Sequence, residues 1–298
     1  MKVAWWLKDY KWQSTHPIHR LTPTLESCLR KGIIRQLSER RDSIHHVDAI
    51  MAKSKVGTCI YCGAQAEMTV EDVLPRCLFP RPLPPNLVKV GACLTCNNGK
   101  SGDDAYLRDF LVADMAAGKS AVAQQIRTNT FKRSVQTNRS EIARLALKRA
   151  YRKPLHTPGG IYLGSPIAVP IDAKHLERIF ERMVRGLWFH VWKDHLPRDY
   201  MFEVARIDGF HTAAVWSEMR QTGANIAAIR PDVFVCQYAF DIRYHAVSRW
   251  LLLFYNTILI EVFTLPPNGI EALITEDEPD PASGLILPDS DTSTGACE

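Results

Sequence analysis

Between residues 174 and 195 apolar side chains return at Leu176, Ile179, Phe180, Met183, Leu187 and Val191, a period that predicts one long amphipathic helix. Tyr106, Leu107, Phe110, Leu111 and Met115 keep the same spacing, with Ser101 or Asp103 as the cap and Gly118 as the stop. A third helix, basic in character, is expected from about 140 to 152, where Ile142, Leu145, Ala146 and Arg149 fit the period. Pro154, Pro158 and the Gly159-Gly160 pair then break the chain. Residues 161–169 and Met201–Ile207 read as extended. Residues 233–244 and 250–265 are dense in β-branched and aromatic side chains, as adjacent antiparallel strands would be. The pattern is α+β, without an internal repeat. Residues 1–50 show no clean period, and Met51 would make a natural start.

At 298 residues the chain is about twice the length of one domain. Its 46% hydrophobic and 23% charged residues exclude a wholly disordered or fibrous chain. The longest apolar run, 250–263, is interrupted by Asn256 and Glu261 and is shorter than the roughly 20 residues of a membrane span. The first residues carry Lys2, Lys8, Asp9 and Lys11 among tryptophans, unlike a secretory signal. A cytoplasmic protein with no membrane partner is expected. The net charge of +5 is unevenly spread: residues 119–153 hold 10 Lys/Arg against Glu141 alone, whereas residues 271–298 hold 8 Asp/Glu and no Lys/Arg. The first stretch suits a polyanion, although a solvated helix face has the same composition; the second reads as a disordered acidic tail.

Cys59-Ile60-Tyr61-Cys62 and Cys93-Leu94-Thr95-Cys96 each set two thiolates on a tight turn. Together they supply the four soft ligands of a structural Zn²⁺. One such pair alone could be redox-active; two, in a chain without a secretion signal, favour metal over disulfides. The 30 residues between the pairs exceed a compact zinc ribbon and include Glu67, Thr69, Glu71, Asp72 and Arg76. Zinc would staple a loop that displays carboxylates. Cys77 reads as a small buried residue, and His45-His46 as polar surface.

Three phrases, Thr69-Val70-Glu71-Asp72-Val73-Leu74-Pro75, Asn86-Leu87-Val88 and Cys93-Leu94-Thr95-Cys96-Asn97-Asn98-Gly99-Lys100, stand in the order and spacing of a known motif. Over residues 57–112 the chain resembles the HNH endonucleases of the zinc-knuckle branch, whose fold is two strands and a helix around a metal. The resemblance implies that Glu71 ligates a catalytic divalent ion, that Asn97 is its second protein ligand, and that Asn86 orients the catalytic group from the facing strand. The sequence departs from the family at Asp72, where the family carries its general-base histidine; no histidine occurs between His46 and His156.

Three possibilities follow: Asp72 acts as a weaker base, Glu71 and Asp72 both serve the metal, or the site is inactive. Hard oxygen ligands such as Glu71, Asp72 and an asparagine carbonyl suit Mg²⁺ or Mn²⁺, which would act on a scissile phosphate. Arg76 and Lys100 would hold flanking phosphates, with Lys132, Arg133 and Arg149 gripping more of the backbone. The expected organisation is a basic N-terminal segment (1–56), an HNH-like module (57–118), a basic helical connector (119–158), an α+β domain with a mainly antiparallel sheet (159–268) and the acidic tail (269–298). The expected function is metal-dependent DNA cleavage, DNA being favoured over RNA; the alternative is an inactive zinc protein that binds nucleic acid.

Overall fold

In the computed structural model, residues 3–5, 56–157, 159–207, 211–221, 224–240 and 247–267 are described. The acidic tail, His45-His46 and nearly all of the basic N-terminal segment lie outside these residues. After a short strand Val3–Trp5 (β1), the cysteine-bearing region forms Val56–Thr58 (β2), Gln65–Asp72 (β3) and Lys89–Cys93 (β4). These pair as an antiparallel sheet in the order β2-β3-β4, with Glu71 opposite Val90 and Asp72 opposite Lys89. Two helices follow at once, Leu94–Asn98 (α1) and Ser101–Ala113 (α2).

The periodic stretch expected to reach Gly118 stops earlier. Asp114 leaves the helical region, its buried carboxylate accepts the Ala116 N–H at 2.8 Å, and Arg206 pairs with it at 2.8 Å. The carbonyls of Val112 and Asp114 are taken by the Arg127 guanidinium at 2.6 and 3.0 Å. An internal carboxylate thus terminates α2 where glycine was expected to. The basic stretch then runs through Ala121–Ile126 (α3), a π-helical turn at Arg127–Phe131, Lys132–Gln136 (α4) and Glu141–Arg149 (α5). Ser140 caps α5 by accepting the Ala143 N–H at 3.2 Å.

Short strands Tyr151–Arg152 (β5), Leu155–His156 (β6), Tyr162–Gly164 (β7) and Ile167–Val169 (β8) come next. They make a β1-β8-β5 sheet, in which β1 runs parallel to β8, and a β6-β7 hairpin. The longest helix, Ala173–Trp192 (α6), is capped by Asp172 and ends at Lys193 in the left-handed region. After it come Met201–Ile207 (β9), Thr212–Gln221 (α7), Asn225–Ile229 (β10), Phe234–Phe240 (β11), Ser248–Phe254 (β12) and Ile258–Leu265 (β13). The last four strands and β9 form an antiparallel sheet, β10-β11-β12-β13-β9. The rich stretch 250–265 is therefore two strands, folded back at Tyr255 and Asn256, both at positive φ, with the Thr257 N–H on the Phe254 carbonyl at 3.0 Å. The molecule is mixed α+β with a mainly antiparallel sheet, and no described helix is long and apolar enough to cross a membrane.

Alternation divides the five-stranded sheet between two cores. Trp250, Leu252 and Phe254 of β12 with Ile258, Ile260 and Val262 of β13 join Leu176, Ile179, Phe180, Met183, Leu187 and Trp188 of α6. Leu251 and Leu259 turn the other way, onto Met219 of α7. Each such side chain contributes about 1.5–3 kcal/mol on full burial. The larger core does not stop at the sheet. Ile60, Val73, Leu74, Val90, Leu107 and Leu111 from the cysteine-bearing region belong to the same cluster, so residues on both sides of the expected 153–160 boundary share one interior. Gly186 makes the closest approach possible: a Cβ there would lie 2.6 Å from Cγ2 of Val73. α6 thereby lies against the strand end that carries Glu71 and Asp72.

Candidate metal centre and adjoining acidic site

The first knuckle turns between β2 and β3. The Gly63 N–H bonds the Cys59 carbonyl at 2.8 Å, the Cys59 N–H bonds Ala64 at 2.9 Å, and Gly63 takes φ +67°, which only glycine adopts without strain. The second begins at Cys93, the last residue of β4, whose sulfur accepts the Cys96 N–H at 3.4 Å as the cap of α1. Strand pairing places Cys93 opposite Met68 and brings both knuckles to one end of the sheet. The four Sγ atoms of Cys59, Cys62, Cys93 and Cys96 lie within 4.8 Å of one another, with Cys62 and Cys93 at 3.7 Å. A tetrahedral ion with Zn–S bonds of about 2.3 Å requires sulfurs about 3.8 Å apart, so this set can hold a structural metal such as zinc.

The electrostatics divide the cluster. Burial opposes ionisation of Cys59, but backbone N–H groups of Cys62, Cys93 and Tyr61 outweigh it and hold the thiol down to about 7. Cys96 is pushed the other way, by burial and then by the neighbouring sulfurs. Four thiolates this close need a cation among them.

Next to this cage is a second polar cluster, at the C-terminal end of β3. Glu71 and Asp72 are both buried. The Lys100 ammonium meets Glu71 Oε1, donates to the Asp72 main-chain oxygen at 2.8 Å and stands 3.7 Å from Asp104 Oδ2. Two carboxylates and a carbonyl thus converge on one cationic position. Arg182 of α6 approaches Glu71 at 3.6 Å, donates to the Cys96 carbonyl and lies over the Tyr61 ring at 4.3 Å, so it joins the knuckles to the carboxylates. Burial raises the Glu71 carboxyl above the usual range against the pull of Lys100 and Arg182. Burial likewise pushes Asp104 up to about 6, Lys100 opposing. Asp72 Oδ2 accepts from Arg76 at 2.5 Å, while its Oδ1 is buried with no hydrogen-bond partner.

The other candidates are dispersed. Asn97 donates to Thr69 Oγ1 at 2.9 Å and to the Val70 carbonyl at 3.3 Å, pinning α1 to β3. Asn86 is exposed in the loop before β4 and donates to Ala228 of β10 at 3.3 Å, rather than standing on the facing strand. Lys100, expected on a flanking phosphate, is instead enclosed by the oxygens just described. Arg76, Lys132, Arg133 and Arg149 are exposed.

Asp104, Arg182 and Tyr61 are the additions that the sequence reading missed. Asp104 had a signal, since it stands at i+4 from Lys100 in the first turn of a helix. Arg182, 111 residues from Glu71, had none. The fold also brings a histidine to α2: His175 of α6 bonds Asp103 at 2.7 Å and stacks on Tyr106 at 4.3 Å. It lies two helical turns, about 10.5 Å, along α6 from Arg182.

Neither a family model nor a curated protein nor a solved structure matches this chain.

Proposed function

We propose that the chain is an HNH-type, metal-dependent DNA endonuclease whose zinc-stapled module, built in the order strand, strand, helix, carries the reaction. The observation that supports it most is the convergence of Glu71, Asp104 and the Asp72 carbonyl on a single cationic position beside four metal-spaced thiols. Oxygen donors of this kind fit Mg²⁺ or Mn²⁺, which keep few protein ligands and complete their shells with water and phosphate. Glu71, Asp104 and the Asp72 carbonyl would hold the ion once Lys100 swings aside, and the ion would supply Lewis-acid polarisation of the phosphodiester.

The chain's own groups take the remaining roles. Asp72 Oδ1, buried and without a hydrogen-bond partner, accepts the proton of the attacking water, and Arg76 fixes that carboxylate through Oδ2. Lys100 would keep a positive charge next to the phosphate. Asn97 holds α1 and its cysteine on β3, and Arg182 keeps the zinc knuckle and Glu71 in register.

A second reading has its own support. Glu71 and Asp72 are buried and already paired with Lys100, Arg182 and Arg76, an arrangement that suits an inactive, nucleic-acid-binding zinc protein in which lysine replaces the divalent ion. Mg²⁺-dependent nicking of supercoiled plasmid separates the two. In the first, Asp72→Ala lowers the rate about 100- to 10,000-fold, the usual contribution of a general base. In the second, the wild-type chain binds DNA and cuts with neither Mg²⁺ nor Mn²⁺.

A further inference from the structure

Exposed apolar side chains and basic side chains recur between Leu147 and Leu163. From 142 to 171 there is no Asp or Glu, while Arg144, Lys148, Arg149, Arg152 and Lys153 supply positive charge. Leu147 is 87% exposed, Tyr151 36%, Ile161 68%, Tyr162 57% and Leu163 58%, five of the twelve large hydrophobic side chains exposed among the described residues.

The surface is also fixed in place. The β6-β7 hairpin is closed by the Thr157 N–H on the Ile161 carbonyl at 2.8 Å and the Ile161 N–H on Thr157 Oγ1 at 3.0 Å. Tyr162 is held by a 2.7 Å hydrogen bond between its hydroxyl and Ser165 Oγ and by the His156 ring at 5.5 Å. Arg152 donates to the Ser165 carbonyl at 3.1 Å, so the phenol and the guanidinium meet on one residue. An anchored aromatic ring beside a guanidinium, in a stretch of sequence with no Asp or Glu of its own, has the chemistry that receives an unpaired base and its phosphates.

We propose that the end of α5, β5 and the β6-β7 hairpin form a platform on which unpaired bases of a nucleic-acid strand stack, with Tyr162 as the principal ring and Lys148, Arg149 and Arg152 on the backbone. The inference rests on the nucleic-acid substrate proposed above and narrows it to strands with unpaired bases, such as flaps, forks and single strands. A blunt duplex presents phosphates but no free base faces, so it uses the cations alone.

The test measures binding of the full chain to a labelled single strand of about 20 nucleotides, as DNA and as RNA, and to the blunt duplex of the same length, across a salt series. Tyr162→Ala is expected to weaken single-strand binding about 5- to 150-fold and duplex binding by no more than about twofold, whereas Tyr162→Phe retains both. The Lys148→Ala/Arg149→Ala pair weakens both substrates and flattens the salt dependence. Tyr162-dependent binding of either DNA or RNA supports the platform and identifies its source. Equal loss on single strand and duplex, no loss at all, or binding only to phosphatidylserine vesicles overturns it. Plasmid nicking by the same proteins separates this inference from the nuclease reading. Cutting with no Tyr162 effect on binding removes only the platform, and Tyr162-dependent binding without cutting removes only the nuclease.

Discussion

Lys100 and Asp104 show how one side chain sets the character of a site. Burial makes the ionised Asp104 costly, and Lys100 returns only part of that cost. A carboxyl whose folded value lies above its unfolded value binds its proton more tightly in the folded state. Its contribution is therefore most favourable below about pH 4 and is lost as the pH rises through about 6. At about 1.4 kcal/mol per pH unit, the displacement from 3.8 to about 6 is worth about 3 kcal/mol. Urea denaturation without added divalent ions should show Asp104→Asn gaining on the wild type by about 1–3 kcal/mol between pH 4 and pH 7. A constant difference across that range would show that burial does not control this carboxylate. The cysteine cage was legible at this scale because two Cys-x-x-Cys pairs name the four thiols that the fold brings together. Arg182 was not, because only the docking of α6 brings it to Glu71.

At the scale of the element, periodicity located α6 within a few residues, since its apolar positions all enter one interior. The end of α2 was misplaced for an equally physical reason: the buried Asp114 carboxylate breaks the helix and pairs with the half-buried Arg206, 92 residues away, and no local pattern reports that. The long apolar stretch 250–265 concealed a turn because Tyr255 and Asn256 adopt positive φ without glycine. Gly186, unremarked in the sequence, is where α6 meets the site strand. Gly186→Ala should destabilise by about 1–3 kcal/mol through overpacking against Val73, despite the higher helix propensity of alanine, and Val73→Ala in the same chain should recover part of that loss. Thermal unfolding of the single and double variants measures both; a Gly186→Ala chain as stable as the wild type would mean that α6 is free to shift.

For the molecule as a whole, the cysteine cage is tied to the sheet through one interior in which Ile60 and Val90 share a cluster with Trp250 and Phe254. Removing the metal should therefore loosen the whole described fold. Stripping zinc with a chelator is expected to lower the main calorimetric transition by about 10 °C or more. A main transition left in place, with a small separate one below it, would show two independently folded units. The α+β class and the mainly antiparallel sheet were readable from hydrophobic pattern alone, whereas the shared core was not, because proline and glycine between 154 and 160 look the same in a linker as in a hairpin. The rate of Mg²⁺-dependent plasmid nicking by the zinc-loaded chain, measured beside Glu71→Ala, is the most direct test of the nuclease assignment. Nicking by the wild type is expected, with a rate at least about 100-fold lower for the variant. Equal nicking by both proteins, or none by the zinc-loaded wild type at any Mg²⁺ or Mn²⁺ concentration, would contradict it.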